Sequence, residues 1–82
     1  MNEQQTINLI KNGEHDAYRQ LVERYQTGLI IYCDRLVEDR DVAEDIAQDV
    51  FVKAFYSIDK FDPSKGHFST WLYAIATNRV KD

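Results

Sequence analysis

The stretch DVAEDIAQDVFVKAFYSI, residues 41–58, decides the architecture. Ala43, Ile46, Ala47, Val50, Phe51, Ala54, Phe55 and Ile58 recur at spacings of three and four and share one side of a helix, while Asp45, Gln48, Asp49, Val52 and Tyr56 share the other. The first set reads as the buried stripe. Asp41 followed by Glu44 has the form of a capping box and is expected to open this helix. On its N-terminal side, Ala17, Tyr18, Leu21, Val22, Tyr25, Leu29, Tyr32, Cys33, Leu36 and Val37 keep the same spacing over about six turns, which predicts a second long helix ended by the polar run Glu38 to Asp41. Gly28 lies inside it, where glycine costs roughly 1 kcal/mol relative to alanine, and marks a close helix contact or a bend. Ile7, Leu9 and Ile10 define a short first helix stopped by Asn12-Gly13.

On the C-terminal side, Pro63 and Gly66 break the period between Asp59 and His67, giving a turn-rich loop bracketed by Phe61 and Phe68. Phe68, Trp71, Leu72, Ile75 and Ala76 form a last stripe, with Ser69 or Thr70 near the helix start and Thr70, Tyr73, Ala74, Thr77, Asn78 and Lys81 facing outward. No segment alternates with period two. The expected fold is therefore all-α, a compact bundle of four helices with the second and third long, forming one domain over residues 1–82.

Composition bounds the function. A chain of 82 residues, 44% of them hydrophobic, buries about 60% of its unfolded surface and can build a single core. Its only cysteine, Cys33, excludes an intrachain disulfide and a four-cysteine zinc site, which fits a reduced, cytoplasmic setting. The run Leu29 to Cys33 is far too short to span a membrane, and Met1 to Gln5 are polar, without the basic and apolar regions of a signal peptide. Against 10 Lys and Arg stand 14 Asp and Glu, a net charge of −4. That balance is unevenly placed: residues 1–49 carry five basic and eleven acidic side chains, residues 50–82 five basic and three acidic, so two different partner surfaces are expected.

Catalytic chemistry finds no support in the sequence. There is no Gly-rich phosphate loop, no His pair at metal spacing and no activated nucleophile, so no catalytic residue, metal ligand or cofactor is assigned. His15 and His67 read as surface histidines, Cys33 as a small buried hydrophobe, and the carboxylates of residues 38–49 lack the glycine turn of a calcium loop. Two surfaces stand out instead. Asp45, Gln48 and Asp49, continued by Val52 and Tyr56, form either a solvated face or a docking surface for a partner's basic helix. Lys60, Lys65 and Lys81, interleaved with Ser64, His67, Thr70, Tyr73 and Asn78, suit single-stranded nucleic acid, with charges along phosphates and rings against exposed bases. An acidic total argues against unassisted DNA binding, which depends on neutralising phosphates.

Asp16-Ala17-Tyr18 with Tyr25, then Asp41 through Phe51, then Phe61-Asp62-Pro63 and Phe68-Ser69-Thr70-Trp71-Leu72, closely resemble region 2 of bacterial sigma factors of the extracytoplasmic-function (ECF) group, over essentially the whole chain. The resemblance implies a helical domain that docks on the clamp helices of the largest RNA polymerase subunit and recognises the minus-ten promoter element as its strands separate. By position, Asp45, Gln48 and Asp49 match the polymerase-docking motif, Phe61 to Phe68 the loop that captures a base turned out of the strand, and Asn78 and Lys81 the upstream duplex edge. It further implies an anti-sigma partner, no membrane insertion, no reaction catalysed, and a longer protein that continues past Asp82 to a second, promoter-reading helical domain.

Two adjacent tryptophans that housekeeping sigma factors use in strand opening are replaced by Ala74 and Ile75, and Trp71 falls on the inward stripe, where core packing is expected. The rival readings are a helical module that binds a regulatory protein without touching DNA and, more remotely, an enzyme or metal-binding domain.

Overall fold

The computed structural model describes residues 2–82, so that Met1, the first residue of the polar N-terminal run, lies outside them. Four helices, α1 (Glu3–Lys11), α2 (Tyr18–Val37), α3 (Arg40–Ser57) and α4 (Phe68–Lys81), follow one another with no strand among the described residues, as the absence of period-two patterning predicts. Short 3-10 turns occupy His15–Ala17, Ile58–Lys60 and Pro63–Lys65.

Each helix end has a local cause. Asn2 caps α1 reciprocally: its Oδ1 accepts from the Gln5 N–H at 2.8 Å while its own N–H donates to Gln5 Oε1 at 2.9 Å. Gly13, at φ 98°, then takes the left-handed conformation that carries the chain off the end of α1. The α2–α3 junction corrects the expected capping box at Asp41. Glu38 adopts φ 56°, closing α2, and the extended Asp39 accepts from the Val42 N–H at 3.2 Å, so α3 starts at Arg40 and Asp41 lies in its first turn. Only two residues separate these helices, and the left-handed one leaves Asp39 as the one position able to cap. Glu44, freed from that role, pairs instead with Arg40 at 3.3 Å along the helix. No side chain caps α4, which begins after the extended His67.

The core gathers Ile7 and Ile10 of α1, Leu21, Leu29 and Cys33 of α2, Ala43, Ile46, Ala47, Val50, Phe51 and Ala54 of α3, Ile58 and Phe61 of the segment that follows it, and Phe68, Leu72 and Ala76 of α4, all buried. Alanines at 43, 47, 54 and 76 have no side chain beyond Cβ, so the helices that carry them can approach closely. Gly28 marks the close contact that its position predicts, because a Cβ there would lie 2.9 Å from the Tyr73 hydroxyl of α4. Tyr73 is braced from the other side by an edge-on contact with Tyr32, ring centroids 5.0 Å apart. The Tyr32 hydroxyl lies 2.7 Å from Thr77 Oγ1, which itself donates to the Tyr73 carbonyl at 3.0 Å, so Tyr32 is the donor of the pair.

The spacing overstates burial at several stripe positions, among them Leu36 and Phe55. Leu36 is exposed in the last turn of α2, at the hairpin tip where Val42 is exposed as well. Phe55 is only half-buried, its ring held edge-on by Tyr18, His15 and Tyr56 at 5.1 to 5.3 Å.

Candidate functional site

The outer side of α3 presents Asp45, Gln48 and Asp49 to solvent, with Val52 and Tyr56 unusually exposed for apolar side chains at 52% and 81%. Beside them a groove of about 750 Å³ runs between α2 and α3. Its walls join four of the five expected docking residues, Asp45, Gln48, Val52 and Tyr56, to Tyr18, Val22, Gln26 and Ile30 of α2. Period alone placed Tyr18 and Val22 in the core. Both are half-buried at the groove wall, and the Tyr18 hydroxyl donates to the Phe51 carbonyl at 2.5 Å, tying α2 to α3 there, while burial pushes its pKa well above the usual tyrosine value. The fifth residue, Asp49, stands apart from the groove: its Oδ2 accepts from Arg79 of α4 at 3.2 Å. Arg79 carried no signal in the sequence, since 30 residues separate the pair.

The second surface surrounds the start of α4. Lys60, Lys65, His67 and Thr70 line a pocket of about 200 Å³ whose remaining walls are Phe61, Asp62, Gly66 and Trp71. Its floor is aromatic and fixed, for the buried Phe61 meets Phe68 at 5.6 Å and Trp71 at 5.4 Å, and Phe68 meets Trp71 at 5.7 Å. Trp71 thus packs as expected. Ser64 does not line the pocket. Its N–H and hydroxyl both donate to Asp62 Oδ1, at 2.9 and 2.7 Å, which folds the tip of the loop into a turn. These two bonds hold the Asp62 carboxyl below the usual carboxylate range, and Lys65 and Lys11 add to the effect. Gly66, at φ 154°, returns the chain to α4 through a conformation that other residues rarely adopt.

Tyr73 belongs to a neighbouring hollow of about 440 Å³ that shares Thr70 with the pocket and adds Tyr25 and Ser69. Tyr25 donates to Glu3 Oε1 at 2.5 Å, and burial followed by that carboxylate pushes its pKa up to about 12. Burial raises Tyr73 as well, with Cys33 and Tyr32 adding to it. Asn78 and Lys81 are exposed farther along α4, about 15 and 20 Å from its start at roughly 1.5 Å per residue, and border neither hollow. Of the eight nucleic-acid candidates, therefore, four converge on one pocket, Tyr73 adjoins it, Ser64 builds its loop, and two lie at the other end of the helix.

Compared with known proteins, residues 21–82 match the family described as Sigma-70 region 2. The chain belongs to the sigma-70 region 2 family. Within it, the relatives place the chain in the ECF group: it is 42% identical over 76 residues to the ECF RNA polymerase sigma factor SigW of Bacillus subtilis (strain 168), a match covering 93% of this chain and 40% of that protein. It is also 34% identical over 82 residues to the ECF RNA polymerase sigma-E factor of Escherichia coli (strain K12), covering 100% of this chain and 42% of the relative. The sigma-70 region 2 domain described here thus spans about two fifths of the length of such relatives. A solved structure of an engineered region 2 of sigmaE in complex with GTAAAA superposes with a TM-score of 0.83 at 36% identity, covering 99% of this chain and 87% of that one. These relatives are named as sigma factors, and no helix among the described residues of this chain is long and apolar enough to cross a membrane.

Proposed function

We propose that this sigma-70 region 2 domain works in the cytoplasm as a two-faced adaptor without catalysis. Through Asp45, Gln48, Asp49, Val52 and Tyr56 it docks on the clamp helices of the largest RNA polymerase subunit; through the loop and α4 it takes the unpaired minus-ten promoter strand. The observation that carries this reading is the pocket of about 200 Å³ at the loop, where a fixed aromatic floor meets a rim of Lys60, Lys65 and His67, in a chain 36% identical to a domain held with GTAAAA. A base turned out of its stack needs a cavity with aromatic walls and edge-directed polar groups, and the phosphates beside it need cations. On the other face, carboxylates and an amide are acceptors for a basic coiled coil, and the apolar groove beside them adds area that such a helix can bury. An anti-sigma factor would act by covering this same groove.

The net charge of −4 fits a reader whose weak intrinsic affinity for DNA is supplemented by polymerase, since the local concentration that the complex provides then replaces counterion release as the main source of occupancy. Titrating the isotope-labelled chain with single-stranded GTAAAA and with its complement TTTTAC tests the reading. We expect GTAAAA to shift the backbone resonances of residues 60–73 and to bind at least about tenfold more tightly. No binding of either strand, or shifts confined to α3, would support the rival protein-only module, and equal affinity for both strands would remove sequence reading from the loop.

A further inference from the structure

The base pocket is anchored from outside itself. Lys11, the last residue of α1, reaches across to the loop, where its Nζ donates to the Phe61 carbonyl at 2.6 Å and lies 5.8 Å from the centroid of the Phe61 ring. Fifty residues separate the two in sequence. Phe61 is the hinge of the loop. Its N–H closes the 3-10 turn on the Ile58 carbonyl at 3.1 Å, its own backbone is extended at φ −70° and ψ 123°, and the next residue, Asp62, caps the following turn through Ser64. A carbonyl at such a hinge belongs to no helix, and the ammonium supplies a charge-assisted partner on the half-buried side of the loop. The peptide plane that Lys11 holds is the one that joins the pocket's floor, the Phe61 ring, to its wall, Asp62. Lys11 does not itself line the pocket.

We infer that Lys11 is a positioning residue for base selection: it fixes the Phe61 hinge and thereby the shape of the pocket between Asp62 and His67, without touching the base. The inference rests on the reading of that pocket as a base receptor. Its signature is a loss of discrimination at one position of the bound strand. A phosphate-binding lysine would instead weaken every sequence alike.

The test titrates the 82-residue chain, as wild type, Lys11→Met, Lys11→Gln and Lys11→Arg, with GTAAAA and the six hexanucleotides changed at one position each. The position held by the pocket is the one whose preference changes when residues 62–67 are exchanged for those of another ECF factor. At that position Lys11→Met is expected to lose about tenfold in discrimination while the other five stay within about twofold of wild type. Lys11→Arg, which keeps a cationic donor, retains most of it, and Lys11→Gln, a neutral donor, falls between and serves in place of the Met variant should that melt below the assay temperature. Unchanged discrimination in Lys11→Met or Lys11→Gln, or a uniform loss at all six positions, overturns the role of Lys11 alone. A wild type with no base preference, or one that the loop exchange leaves intact, overturns the pocket reading and this inference with it.

Discussion

Phe68→Ala is expected to lower the melting temperature by at least about 12 °C. Phe68 is 2% exposed and opens α4, and its ring joins three neighbours, Tyr25 at 5.7 Å, Phe61 at 5.6 Å and Trp71 at 5.7 Å. Truncating a buried phenylalanine costs about 3–5 kcal/mol, from the lost transfer of its ring and the cavity left behind. A domain of this length holds only on the order of 4–12 kcal/mol in total, and each kcal/mol moves the midpoint by about 4–8 °C at this size. The loss extends to the proposed site, because the same ring backs the Phe61 and Trp71 walls of the pocket at the loop. Calorimetric melting checks it; a shift of only a degree or two would mean that the α4 start is less tightly packed than these contacts require. Phe55→Ala should cost less than Phe51→Ala, since Phe55 is half-buried beside the groove while Phe51 is 7% exposed.

The second large effect is on docking. Asp45→Ala combined with Gln48→Ala should leave the melting temperature within a few degrees of wild type, because both side chains are exposed, and weaken the complex with core polymerase at least about 30-fold. The magnitude follows from about 1–3 kcal/mol for each partner left unpaired in an interface, at about 1.4 kcal/mol per tenfold. Asp49→Ala should do less. Its carboxylate already accepts from Arg79 at 3.2 Å, so docking there exchanges one exposed ion pair for another, and such pairs are worth only about 0–1 kcal/mol. A pull-down or titration with core polymerase measures both variants, and unchanged affinity in the double variant removes the docking face from α3.

How far these surfaces could be read without the structure depended on whether a signal was local. The α3 stripe, with Ala43, Val50 and Ala54 buried and Asp45 and Gln48 outside, follows from helical period alone. Gly28 announced a close contact because a mid-helix glycine needs a reason, and the Tyr73 hydroxyl supplies it. The misses share a physical origin. The cap at Asp39 depended on a left-handed Glu38, which no preference of glutamate predicts. Leu36 was assigned inward by spacing, but period cannot tell where a bundle stops covering its helices. The α2 wall of the groove, the Arg79 partner of Asp49 and the Lys11 anchor of Phe61 all join residues from different elements, and pairings of that kind leave no trace in periodicity.

The central claim is that the loop of residues 62–67 chooses a base while the lysines around it hold the strand, and selection from randomised single strands tests it most directly. Core polymerase carrying the wild-type chain, the loop-exchanged chain, or Lys65→Ala is presented with oligonucleotides randomised over the six minus-ten positions, and the retained strands are sequenced. The expected result is a changed base preference at one position in the loop exchange, against an unchanged preference and evenly lowered affinity in Lys65→Ala. A loop exchange that leaves the preference intact, while Asn78→Ala or Tyr73→Ala alters it throughout, would contradict the account and assign recognition to α4.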